Sequence, residues 1–158
     1  MSNANQLEMW LWLLLAAALG AAIGFEREWR GHEAGIRTAA LVCVGAAVFG
    51  QLSLDSGDSR VAAAVVQGIG FIGAGVMFQR GDNVRGVTTA ATIWAAAGVG
   101  LLVAYELWLT AVLATLTIVV LLELAPVSDR VFRHGGRTSR RPDHSRGELE
   151  DPATAEER

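Results

Sequence analysis

The chain has 158 residues, 52 % of them apolar, and a formal net charge of −3. Its mean hydropathy is +0.36 although the stretch from Pro126 onward is almost wholly polar, so the remainder is too apolar for a water-soluble domain and one membrane domain is expected. The only cysteine, Cys43 in LVCVGAAVF, excludes a disulfide framework and any cysteine-based metal site, and reads as a buried, inert thiol.

Five apolar runs follow one another at about 9–25, 38–54, 61–79, 86–105 and 107–124, separated by short charged connectors. Each approaches the roughly 20 residues that carry a helix across a bilayer. A soluble helix of that length would show a polar stripe, whereas the polar residues here are isolated Gln, Ser and Thr. The predicted fold is therefore all-α, a polytopic bundle of five transmembrane helices within residues 9–125. Residues 1–8 form a short extracytoplasmic tail, and they carry no Lys or Arg to make the positive start of a cleaved signal peptide. Residues 126–158 run from an arginine-rich half to an acidic half with almost no apolar residues beyond Phe132, which predicts a disordered tail. That tail is read as solvated, in preference to a grip on anionic headgroups.

Orientation follows from the arginines, which supply all thirteen basic residues. Twelve fall in the first and third connectors and the tail, and only Arg60 falls on the other side. Cytoplasmic flanks collect Lys and Arg, so the N-terminus is predicted outside and the tail in the cytoplasm.

The third run contains QGIGFIGAG, which matches the dinucleotide fingerprint G-x-G-x-x-G. That fingerprint needs a strand before it and an acidic residue about 20 positions later. Here that position falls in VTTAATIWAAA, with no carboxylate, so the glycines are read as helix-packing residues. In a bilayer, helices associate where small side chains let backbones approach. Gly68, Gly70, Gly73 and Gly75 give the third span two smooth sides and predict that it occupies the centre of the bundle. Gly20 and Gly24 on the first span, with the small residues of the fourth, predict close packing of spans one, three and four. Gln67 lies about two turns inside the third span and calls for an interhelical hydrogen bond.

The first connector, FEREWRGHEAGIRT, and the third, QRGDNVRGVTT, meet on the predicted cytoplasmic side. Glu26, Arg27, Arg37, Thr38, Asn83, Arg85, Thr88, Thr89 and Thr92 form the candidate polar cluster, with Arg37 and Arg85 expected to share Glu26 and the connector carboxylates. Ionisable groups at that depth are paired or directed to water. The competing reading is that Arg37 and Arg85 only snorkel and mark topology.

The segments FEREWRGHEAGIRTAALVCVGAAVF, QGIGFIGAGVMF and NVRGVTTAATIWAAAGVG together resemble the MgtC/SapB family of bacterial inner-membrane proteins, over about residues 20–100. With Thr88 and Ala95 where the longer members have Asn and Cys, and no pattern for an ACT-like domain after Pro126, the chain is similar to the short SapB-type branch. The resemblance implies an inner-membrane protein active in adaptation to magnesium limitation and, in pathogens, in survival inside host cells. No nucleophile, acid–base pair or phosphate-binding loop is spaced for catalysis, so a non-enzymatic role is expected, without cofactor or nucleic acid. Whether a metal binds is left open by the residues. The preferred reading is a regulator that packs in the lipid bilayer against itself, as a homo-oligomer such as a dimer, or against another membrane protein. The alternative is a small channel or transporter for Mg²⁺ or H⁺, although no Asp or Glu lies mid-membrane to serve it.

Overall fold

The computed structural model describes residues 3–78 and 86–124, of which all the regular structure is helical. The elements are α1 (Asn3–Trp29), α2 (Ile36–Ser56), α3 (Ser59–Phe78), α4 (Val87–Ala104) and α5 (Trp108–Glu123). The first four are long and apolar enough to cross a membrane, whereas α5 has 16 residues and is shorter. The expected tail, Asn83 and Arg85 lie outside the described residues.

Helix α1 runs four residues beyond the predicted end at Phe25. The residues of FEREW are ordinary helix formers, and Arg27 in the last turn suits the negative end of the helix dipole. It stops at Gly31, whose φ of +72° is open to glycine. There the Gly31 N–H donates to Glu28 O at 3.0 Å and the His32 N–H to Arg27 O at 2.9 Å, the paired bonds of a Schellman stop. The α4–α5 corner repeats this geometry with Glu106 at φ 59°: its N–H donates to Val103 O and that of Leu107 to Leu102 O.

Helix α2 is the axis of the bundle, with α1 on one side and α4 on the other. Small residues set both distances. A methyl group added at Gly20 would lie 2.6 Å from Ala39 O and 2.8 Å from Ala40 Cα, and one at Gly24 would lie 2.6 Å from Ile36 Cα. On the other side, one at Gly50 would lie 2.7 Å from Ala104 Cβ and one at Gly100 2.8 Å from Ala46 Cβ. The largest fully buried side chains among the described residues are Ile23, Cys43, Ile93, Val99 and Val103, with buried alanines such as Ala16, Ala96 and Ala111 beside them. Cys43 also donates its thiol to Ala96 O at 2.9 Å, which satisfies the one polar group of this seam.

The expectations that the third span sits centrally and that spans one, three and four pack together are corrected: among the described residues α1 and α3 do not touch, and Gly20 and Gly24 face the α2 side instead. Only 6 % of the membrane-length stretch of α3 is buried within the protein, against 50 % for α4. Helix α3 lies along α4 and α2 at the edge of the bundle. Its one buried glycine, Gly73, faces Ala90. Gly68, Gly70 and Gly75 have nothing within 4 Å of an added methyl group. The central helix is α2, whose Ala39, Cys43, Ala46 and Gly50 form a small-residue seam at helical spacing.

Candidate functional site

The end of the bundle where α1 finishes and α2 and α4 begin carries the buried charge. Glu26 is 6 % exposed and Arg27 is 2 % exposed, both in the last two turns of α1. Extension of α1 to Trp29 puts Arg30 one turn after Glu26, on the same face. Arg30 Nε lies 2.7 Å from Glu26 Oε1, and Arg30 Nη2 also reaches the carboxylate of Glu123 at the end of α5. Arg27 Nη2 donates to Thr89 Oγ1 at 2.8 Å in the first turn of α4. Glu28 Oε2 accepts the Ile36 N–H at 2.9 Å, placing an anion on the unsatisfied N-terminus of α2.

The end of α1 and the residue that follows it therefore hold α2, α4 and α5 together through three separate polar contacts, from Glu28, Arg27 and Arg30. This grouping differs from the sequence expectation. Arg37 is exposed and makes no ion pair among the described residues, while Arg30 takes the partner expected for it. Of the predicted threonines, Thr89 and Thr92 are buried, Thr38 is half-buried and Thr88 is exposed. Thr92 satisfies its hydroxyl on Thr88 O at 2.8 Å, within its own helix. Gln67 is exposed midway along α3, away from this cluster. Arg30, Glu28 and Glu123 were not among the candidates. The signal for Arg30 was the four-residue spacing from Glu26, visible only once α1 is allowed to continue past Phe25.

The cluster is rich in charge and incompletely satisfied. Both carboxylate oxygens of Glu26 and the Nε of Arg27 are buried without an aligned hydrogen bond, the Glu26–Arg30 contact being a close ion pair without that alignment. Beyond the spanning segments, His32 is an exposed residue, yet desolvation of its ring and then the charge of Arg27 hold it below the ordinary histidine value. The two arginines beside Glu26 oppose a divalent cation there. Among the described residues, no group of three or more His, Cys, Asp or Glu side chains is arranged to hold a metal ion.

No solved structure matches this sequence. Residues 13–131 match the family model described as the MgtC family. Protein MgtC of Salmonella typhimurium is 53 % identical over 109 residues, which cover 67 % of this chain and 47 % of that protein. Protein MgtC of Brucella abortus is 54 % identical over 108 residues, covering 66 % of this chain and 45 % of that protein. The chain thus spans about half the length of the curated relatives it matches. With several membrane-length helices and a family match over most of its length, this chain is a multi-pass membrane protein and belongs to the MgtC family.

Proposed function

We propose that the protein is a non-enzymatic regulator of membrane or ion homeostasis in the bacterial inner membrane, serving adaptation to magnesium limitation by packing against itself or another membrane protein. The observation that carries this reading is α3, a membrane-length helix with most of its surface unburied and Gly70 on its exposed side with nothing within 4 Å of an added methyl group. Small residues on a free helical face are what membrane helices use to associate. The acidic residues argue in the same direction, because Glu26 and Glu123 stand at one end of the helices and Asp55, Asp58 and Glu106 near the other. A Mg²⁺ path would require oxygen ligands between them. The orientation that suits this role is an outer N-terminus and a cytoplasmic tail, from the distribution of arginines. All five helices then cross the bilayer, α5 with local thinning or snorkelling at its ends.

The test is growth in low magnesium of a host lacking its own family member, with membrane abundance measured alongside. Gly70→Leu is expected to lose complementation at normal abundance, because Gly70 touches nothing inside the protein. Purified protein in liposomes is expected to carry no ion flux. Mg²⁺ or proton flux that disappears in Glu26→Gln would replace this reading with transport.

A further inference from the structure

Gln67 is exposed on α3, eight residues from its start, and so stands about 12 Å along a helix about 30 Å long. It makes no hydrogen bond among the described residues. At that depth the side chain is too short to reach water at either end, and a bare primary amide facing hydrocarbon is unfavourable. Its environment in the membrane must therefore supply both an acceptor and a donor, and lipid tails supply neither.

The residues around Gln67 define which face meets that partner. Ala63, Gln67, Gly70 and Ala74 recur at spacings of four, three and four, the seam of two helices crossing at a shallow angle. Ala63 and Gly70 are exposed and Ala74 is half-buried. Apart from Gln67 the seam is made of residues no larger than alanine, so a second helix can approach closely. The neighbouring seam of Ala64, Gly68, Phe71 and Gly75 has the same spacing but is blocked by Phe71, which is 86 % exposed.

We infer that the Ala63, Gln67, Gly70 and Ala74 face of α3 binds the same face of a second copy of this chain, with the two Gln67 amides hydrogen-bonded across a two-fold axis. The occupant follows from the chemistry of the amide. A two-fold axis normal to the membrane brings like residues together at like depth. A primary amide donates through its NH₂ and accepts through its carbonyl, so two of them satisfy each other with no further residue. This inference deepens the reading of α3 as a contact helix and rests on it.

The experiment is disulfide scanning of the full chain in native membranes, in a Cys43→Ser background that keeps a donor toward Ala96. Single cysteines at 63, 67, 70 and 74, at 64, 68, 71 and 75, and at exposed Leu116 on α5 are oxidised and the dimer fraction is read. Dimers are expected at 63, 70 and 74, more weakly at 67 where the cysteine replaces the amide, and not at the others. In-membrane self-association should fall about three- to thirtyfold in Gln67→Leu, the range for interhelical side-chain hydrogen bonds. Gln67→Asn should retain part of it. Cross-linking on the 64, 68, 71, 75 face or equally at Leu116, cross-linking only to another protein, or no dimer at all would each overturn the inference. The readout is contact geometry and not growth, so a failed scan leaves the growth assay able to judge the regulatory role separately.

Discussion

Gly24→Ala offers the sharpest test of the packing, because one methyl group lands on backbone. Its Cβ would sit 2.6 Å from Gly35 O and 2.6 Å from Ile36 Cα, where ordinary contact begins at 3.4 Å. Backbone cannot rotate away, so α1 and the start of α2 must separate by about 0.8 Å, enough to forfeit a quarter to a half of each dispersion contact along that line. The same shift pulls Glu28 from the Ile36 N–H and Arg27 from Thr89. Overpacking of this kind costs about 1–3 kcal/mol, and the helix preference of alanine returns up to about 1 kcal/mol, leaving a net loss on the order of 1–2 kcal/mol. Gly70→Ala is the internal control, since its methyl group meets nothing within 4 Å, so the helix preference of alanine stands alone and monomer stability should rise by up to about 1 kcal/mol. Reversible unfolding in mixed micelles, with yield measured alongside, reads both variants. Equal stability of Gly24→Ala and the parent protein would refute the close approach of α1 and α2.

Arg30→Gln should destabilise by about 1–3 kcal/mol because it leaves the buried Glu26 carboxylate without its ion pair, whereas Arg37→Gln on the exposed side should stay within about 0.5 kcal/mol; the same unfolding assay distinguishes them, and equal effects would reject the Arg30 pairing. Glu106→Gly should stabilise by about 1 kcal/mol, since it relieves a left-handed backbone at a non-glycine residue without touching either Schellman bond, and a fall in stability would count against that geometry. His32 should titrate below the ordinary histidine value by NMR. Its folded form binds a proton less readily than the unfolded chain, so its contribution is intact above the unfolded pKa and declines as pH falls through it, and His32→Gln should flatten that decline.

The number and order of helices were legible in the sequence because apolar length is a property of each segment by itself. The end of α1 was not, since FEREW ceases to be apolar before it ceases to be helical. Arg30 stands one helical turn from Glu26, a spacing that brings the two side chains together only when the helix continues through FEREW. Glu26, Arg27 and Thr89 were legible as polar groups near a membrane edge, and the structure brings them to one end of the bundle. Which span is central was not legible from glycine content. Helix α3 has more glycines than α2, but a glycine marks a close contact only if a neighbour arrives there, and that depends on the connection of the whole chain.

The two uses of small residues in this protein differ by what stands opposite them. Gly20, Gly24, Gly50 and Gly100 lie where an added methyl group would strike a neighbouring helix, so their smallness is already spent on the fold of one chain. Gly68, Gly70 and Gly75 lie on a helix at the edge, where a larger side chain would be tolerated by the monomer. Lipid exerts no hydrophobic penalty on a leucine at such a site, and helix preference alone would favour replacing the glycine. Gln67 adds a requirement that lipid cannot meet, at the same depth and on the seam shared with Gly70. Gly70 and the bare amide thus have one physical remedy in common, a second helix against the Ala63, Gln67, Gly70 and Ala74 face of α3. The polar ties of α1 to α2, α4 and α5 secure the rest of the bundle without using that face.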